Sequence, residues 1–110
     1  DFILSYGKPS RLIQTPIFSL VEAKRQDLEL GLGQCVAQMV GAQIVNQKHH
    51  HTYPVIYGCV TTGELWQFLQ LEGTVLSIDL RTYALNSELP LILGILQTIC
   101  DRIAQEVLIA

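Results

Sequence analysis

Ile17-Phe18-Ser19-Leu20-Val21-Glu22-Ala23-Lys24 is an apolar run that closes on an acid and an amine two positions apart. Uninterrupted hydrophobicity over such a length marks a strand buried on both faces, in the middle of a sheet. Side chains alternate along a strand, so Glu22 and Lys24 fall on one face at its end. Upstream, residues 2–6 read as another strand, followed by the turn formers Gly7, Pro9 and Ser10 and by Pro16 just before the central run.

Pairing these two strands as a hairpin, with Tyr6 opposite Ile17 at the ends of the loop, places Asp1 opposite Glu22, because antiparallel partners keep a constant sum. The two carboxylates then share a face with Cβ atoms roughly 5 Å apart, and the Lys24 amine joins them. Two acids and an amine suit a divalent metal: carboxylate oxygen holds Mg²⁺, a retained water becomes the nucleophile, and the amine offsets charge developing on a phosphate. An exposed ion pair, worth about 0–1 kcal/mol, is the ordinary alternative for Glu22 and Lys24. The buried run leading into them favours the metal site.

Downstream of the run the period changes. Leu28, Leu32, Cys35, Val36, Met39, Val40 and Ile44 recur at three- and four-residue steps, which predicts a helix over 27–46 with Asp27 as its N-cap. Gly31, Gly33 and Gly41 lower its propensity and suggest close backbone packing. Three strands are expected at 53–61, 64–71 and 74–83, joined by the short separators Thr62-Gly63 and Glu72-Gly73 as an antiparallel meander. A last helix begins near Ser87 with Pro90 in its first turn and Ile92, Leu96, Ile99, Ile103 and Val107 as its core stripe. The result is a single α/β (α+β) domain over residues 1–110, in the order β-β-α-β-β-β-α.

Composition narrows the setting. Hydrophobic residues make up 49% and charged residues 15%, against about 25% charged in an average soluble chain, so part of the surface is expected to be covered by a partner subunit or by a missing segment, with the C-terminal helix a candidate homo-oligomer interface. The net charge of −3 gives no global attraction for nucleic acid, and binding to it needs a local patch such as Lys24-Arg25. Cys35, Cys59 and Cys100 are odd in number and widely spaced, which points away from a disulfide framework or zinc site and toward the reducing cytoplasm. The apolar stretch 89–109 is interrupted by Gln97, Asp101, Arg102, Gln105 and Glu106, too polar for a membrane span.

These segments resemble the PD-(D/E)XK, or restriction-endonuclease-like, nuclease superfamily. The likeness lies in Asp1-Phe2-Ile3-Leu4, in Leu20-Val21-Glu22-Ala23-Lys24-Arg25 after a spacer, and in a helix carrying Gly33-Gln34-Cys35-Val36-Ala37-Gln38-Met39. Tyr57-Gly58-Cys59-Val60-Thr61-Thr62-Gly63-Glu64-Leu65-Trp66-Gln67-Phe68 is similar to the meander of type I restriction subunit nuclease domains. The resemblance implies a mixed central sheet flanked by helices and a Mg²⁺- or Mn²⁺-dependent endonuclease acting on DNA. It implies Asp1, Glu22 and the Ala23 carbonyl as metal ligands, Lys24 as the catalytic amine and Gln34 as a helix glutamine near the site. Where some relatives carry a tyrosine, this chain has Gln38. The superfamily's N-terminal helix and first strand are expected ahead of Asp1, so the chain reads as an N-terminally truncated fragment.

Other residues have simpler expectations. Gln34 and Gln38, four apart on a helix, are placed to hydrogen-bond each other or water. His49-His50-His51 reads as a solvated loop, since consecutive side chains do not converge on one ion. Cys35 and Cys59 fall inside apolar elements, where inert buried thiols are the rule. Trp66, Phe68 and Tyr57 are expected in the core of the meander. The alternative to an enzyme is a non-catalytic module that keeps the nuclease-like fold for nucleic-acid binding or subunit assembly.

Overall fold

A computed structural model describes residues 2–6, 15–23, 27–48 and 54–109, with side chains described over 18–23, 27–48 and 54–105. The elements are β1 (Phe2–Tyr6), β2 (Thr15–Glu22), α1 (Leu28–Lys48), β3 (Ile56–Thr61), β4 (Leu65–Glu72), β5 (Val75–Ile78), β6 (Tyr83–Ala84) and α2 (Leu85–Ile109). The strands form one mixed sheet in the order β1-β2-β3-β4-β5, with β6 paired to β4 beside β5. The fold is α+β, and no helix among the described residues is long and apolar enough to cross a membrane.

β2 lies inside the sheet, antiparallel to β1 and parallel to β3. The return to a parallel neighbour requires a crossover, and α1 supplies it. Asp27 caps that helix as expected: its Oδ1 accepts the Leu30 N–H at 3.1 Å, satisfying one of the donors a helix start leaves open.

The hairpin register differs from the sequence expectation. Tyr6 pairs with Thr15 rather than Ile17, Phe2 pairs with Leu20, and the register shifts between Leu4 and Ser5. Ser5 lies opposite Pro16, which has no N–H to give to the ladder, and Ile17 is the extra residue between the partners of Ser5 and Leu4. Phe2 is therefore not opposite Val21, the partner that an Asp1–Glu22 pairing needs, and the expected register does not hold. Asp1 itself lies outside the described residues.

The strand expected over 74–83 is also divided. Ile78 is opposite Leu69 and Tyr83 is opposite Trp66, so three steps along β4 correspond to five along the edge. Asp79 organises the extra residues. Its N–H still donates to the Phe68 carbonyl at 2.9 Å, its carbonyl accepts from Gln67 Nε2 at 3.0 Å, and its Oδ1 accepts the Arg81 N–H at 3.0 Å. An aspartate bonding the backbone two residues on stabilises a turn in competition with a strand.

The two faces of the sheet have separate cores. On one, Val21, Ala23, Val60, Leu69 and Leu71 meet Cys35 and Met39 of α1; on the other, Phe18, Tyr57, Cys59, Phe68 and Tyr83 meet Ile92 and Ile99 of α2. β3 is buried along its whole length. Gly58 permits the close seat of α1, because a Cβ there would lie 2.5 Å from Met39 Sδ and 2.8 Å from Cys35 Sγ. Gly31 makes a similar approach, its would-be Cβ 2.6 Å from Val60 Cγ1. Close packing was expected at Gly33 and Gly41 as well, but both face outward, with nothing within 4 Å of an added Cβ.

The stripe expected on α2 is present, with Ile92 and Ile99 buried and Leu96 and Ile103 packed against the core; the Val107 side chain lies outside those described. The helix starts at Leu85 but is broken by Glu88, whose φ is −127° and ψ 21°. Pro90 therefore sits in the first turn of the continuous part, where its missing N–H costs little.

Candidate active site

Glu22 is the last residue of β2, and its side chain is exposed where the strand leaves the sheet. It pairs with Thr61 of β3, and the ladder continues one step further, the Ala23 N–H donating to the Thr61 carbonyl at 2.7 Å. Ala23 is 7% exposed and faces the α1 core. The exposed carboxylate thus projects from backbone held by β3: Thr61 is buried, and its Oγ1 accepts the Gly63 N–H at 2.9 Å as β3 turns into β4.

Paired residues of adjacent strands share a face, so Glu22, Thr61, Trp66 and Tyr83 form one row across four strands on the α2 side. Trp66 belongs to that side's core as expected, but its Nε1 is buried without an acceptor. An unpaired buried donor is uncommon. The composition of the segment gave no signal of it, because the row is made by pairing between strands.

Gln34 is exposed on α1, one turn before Gln38. The two do not bond each other. Ser19 Oγ, buried in β2, instead donates to Gln38 Oε1 at 2.5 Å, tying the helix to the strand that carries Glu22. Ser19 was missed as a polar contact because it sits inside the apolar run and carries no motif. Asp1, Lys24 and His49, His50 and His51 lie outside the described residues. Among the described residues no three His, Cys, Asp or Glu side chains cluster in the manner of a metal site.

Cys35 and Cys59 are both fully buried thiols. Burial pushes Cys35 up to about 11 and Cys59 up to about 12, so neither supplies a thiolate near neutrality.

A polar cluster ties the divided edge to α2. The Tyr83 hydroxyl donates to Asp79 Oδ2 at 2.8 Å, which holds its pKa above the usual value, and the Arg81 guanidinium lies 4.7 Å from the Tyr83 ring centre. Arg81 also pairs with Glu88. Glu88 Oε1 accepts the Ala84 N–H at 3.0 Å, and this bond, then the Arg81 contact, lowers its pKa. Beyond the cluster an apolar groove of about 660 Å³ runs between α2 and β4–β5, lined by residues that include Phe68, Ile78, Leu91 and Ile95.

Comparison with protein-family models, with curated proteins and with solved structures gives no match in any of the three.

Proposed function

We propose that this domain is a metal-dependent endonuclease that hydrolyses DNA phosphodiester bonds, with Glu22 at the centre of its site. The observation that carries this reading is the position of Glu22: an exposed acid at the end of an interior strand, fixed by pairing with Thr61 and followed at once by Ala23 and Lys24. A mixed sheet with a helix on each face supports the reading at the level of fold class.

The donors suit a hard cation. The Glu22 carboxylate and the Ala23 carbonyl, joined by Asp1 on the resemblance alone, are oxygen ligands of the kind Mg²⁺ or Mn²⁺ takes, while the thiols nearby are buried and protonated. When bound, the cation supplies a water of lowered pKa and Lewis-acid polarisation of the phosphate. In this reading Glu22 supplies a ligand carboxylate, Lys24 orients the attacking water and offsets charge on the phosphate oxygens, and Gln34 is the helix glutamine that the resemblance implies. The three cysteines are free, which supports a cytoplasmic setting.

Full-length protein incubated with supercoiled plasmid and single-stranded DNA in Mg²⁺ or Mn²⁺ is expected to cut at least one of them. Glu22→Gln and Lys24→Ala are each expected to lower the rate by about 100- to 1,000-fold, the usual loss on removing one charge-stabilising group. Circular dichroism should show Glu22→Gln still folded, its side chain being exposed. Intact DNA under all conditions overturns the reading and leaves the non-catalytic assembly module, which the exposed apolar residues of β5 and α2 favour.

A further inference from the structure

We infer that β5 is a dimerisation edge, pairing antiparallel with β5 of a second copy of this chain so that the two sheets join into one. This inference does not depend on the nuclease reading. Val75, Leu76, Ser77 and Ile78 are all exposed, and β5 is the outermost strand on its side of the sheet. Its outward N–H and C=O groups offer a template for another strand. Protein edges are ordinarily guarded by shortness, a charge, a proline or a bulge, and apart from its four-residue length β5 carries none of these.

The exposed apolar residues concentrate here. Val75, Leu76, Ile78 and Leu80 on the edge and Leu85, Leu89, Leu91 and Leu93 on the first half of α2 are all open, and Leu80 is 94% exposed. Open apolar side chains gathered along a sheet edge mark a protein interface. Because β5 exposes side chains on both faces, packing a partner against one face leaves the other open, whereas extending the sheet covers both.

Charge and symmetry select a second copy as the partner. Antiparallel pairing of identical strands places a two-fold axis perpendicular to the sheet, so both α2 helices lie on the same face and run in opposite directions. The groove between α2 and β5 has two charged lining residues, Asp79 and Arg102. Asp79 is bound through Tyr83 and Arg81 to the start of α2, whereas Arg102 lies fourteen residues after Glu88, about 21 Å along a helix. The two-fold therefore sets the basic end of one groove beside the acidic end of the other. Nothing on Val75–Ile78 repels its own copy.

Sedimentation equilibrium of the full chain is expected to give twice the 12.3 kDa chain mass. Ser77→Lys places like charges near the axis and is expected to abolish the dimer while leaving the circular dichroism spectrum unchanged. Val40→Lys, on the exposed face of α1, is expected to leave it intact. Should Ser77→Lys not fold, Ser77→Cys with Cys100→Ser gives a second reading: mild oxidation should link two chains, since the other cysteines are buried. A monomer at every concentration, a dimer that survives folded Ser77→Lys, or absence of the cross-link overturns the inference.

Discussion

Gly58 and Gly33 show how one residue type takes opposite roles according to what faces it. A methyl group at Gly58 would press on Met39 and Cys35, both fully buried, so Gly58→Ala should destabilise the fold by about 1–3 kcal/mol, the usual cost of overpacking. Gly33 faces open space on α1, and Gly33→Ala should stabilise by about 0.5–1 kcal/mol through helix propensity. Urea unfolding of the two variants should show midpoints moving in opposite directions. The sequence showed both as glycines among apolar neighbours. Only the packing of α1 on β3 separates them.

The buried thiols add a pH dependence of known sign. Cys35 and Cys59 stay protonated in the folded state up to about 11 and about 12, while the unfolded chain gives up these protons near 9.0. The folded state therefore binds more protons in that window, and stability falls as pH rises through it. Their contribution is fully present below pH 9.0 and is lost on approach to pH 12. Denaturation midpoints measured across this range should decline, and the decline should be shallower for Cys59→Ala. In the native state only Cys100, the exposed thiol, should react with a thiol reagent.

At the scale of elements, helix starts were legible because their signals are local. Asp27 caps α1 through a bond three residues on, and Asp27→Ala should cost about 1 kcal/mol, read as a lowered unfolding midpoint with little change in activity. The strand boundaries were less legible. Pro16 was read as preceding β2, yet it lies inside the pairing and is associated with the bulge that moves the hairpin register. Asp79 was read as part of a continuous strand, yet its carboxylate and backbone hold a turn that divides β5 from β6. Both effects depend on what stands opposite a residue, which alternation of hydrophobicity does not record. Glu22 at the end of an apolar run was legible; its row with Thr61, Trp66 and Tyr83 was not, because that row crosses four separate strands.

Over the whole molecule, β3 is flanked by β2 and β4 and covered by α1 and α2, so its amides should open only with global unfolding. Native-state hydrogen exchange is expected to be slower in Ile56–Thr61 than in any other described element. Faster exchange there than in β4 would mean that the two cores open independently. By itself the sequence determined the α+β class, the two helices, the interior strand and the acid at its end, since all follow from short-range period, capping and turn chemistry. The tertiary structure decided the hairpin register, the division of the last strand, the bond from Ser19 to Gln38 and the open apolar edge at β5. Those are properties of residues distant in sequence that meet only when the sheet closes around β3, and their energies depend on which face and which partner each side chain is given.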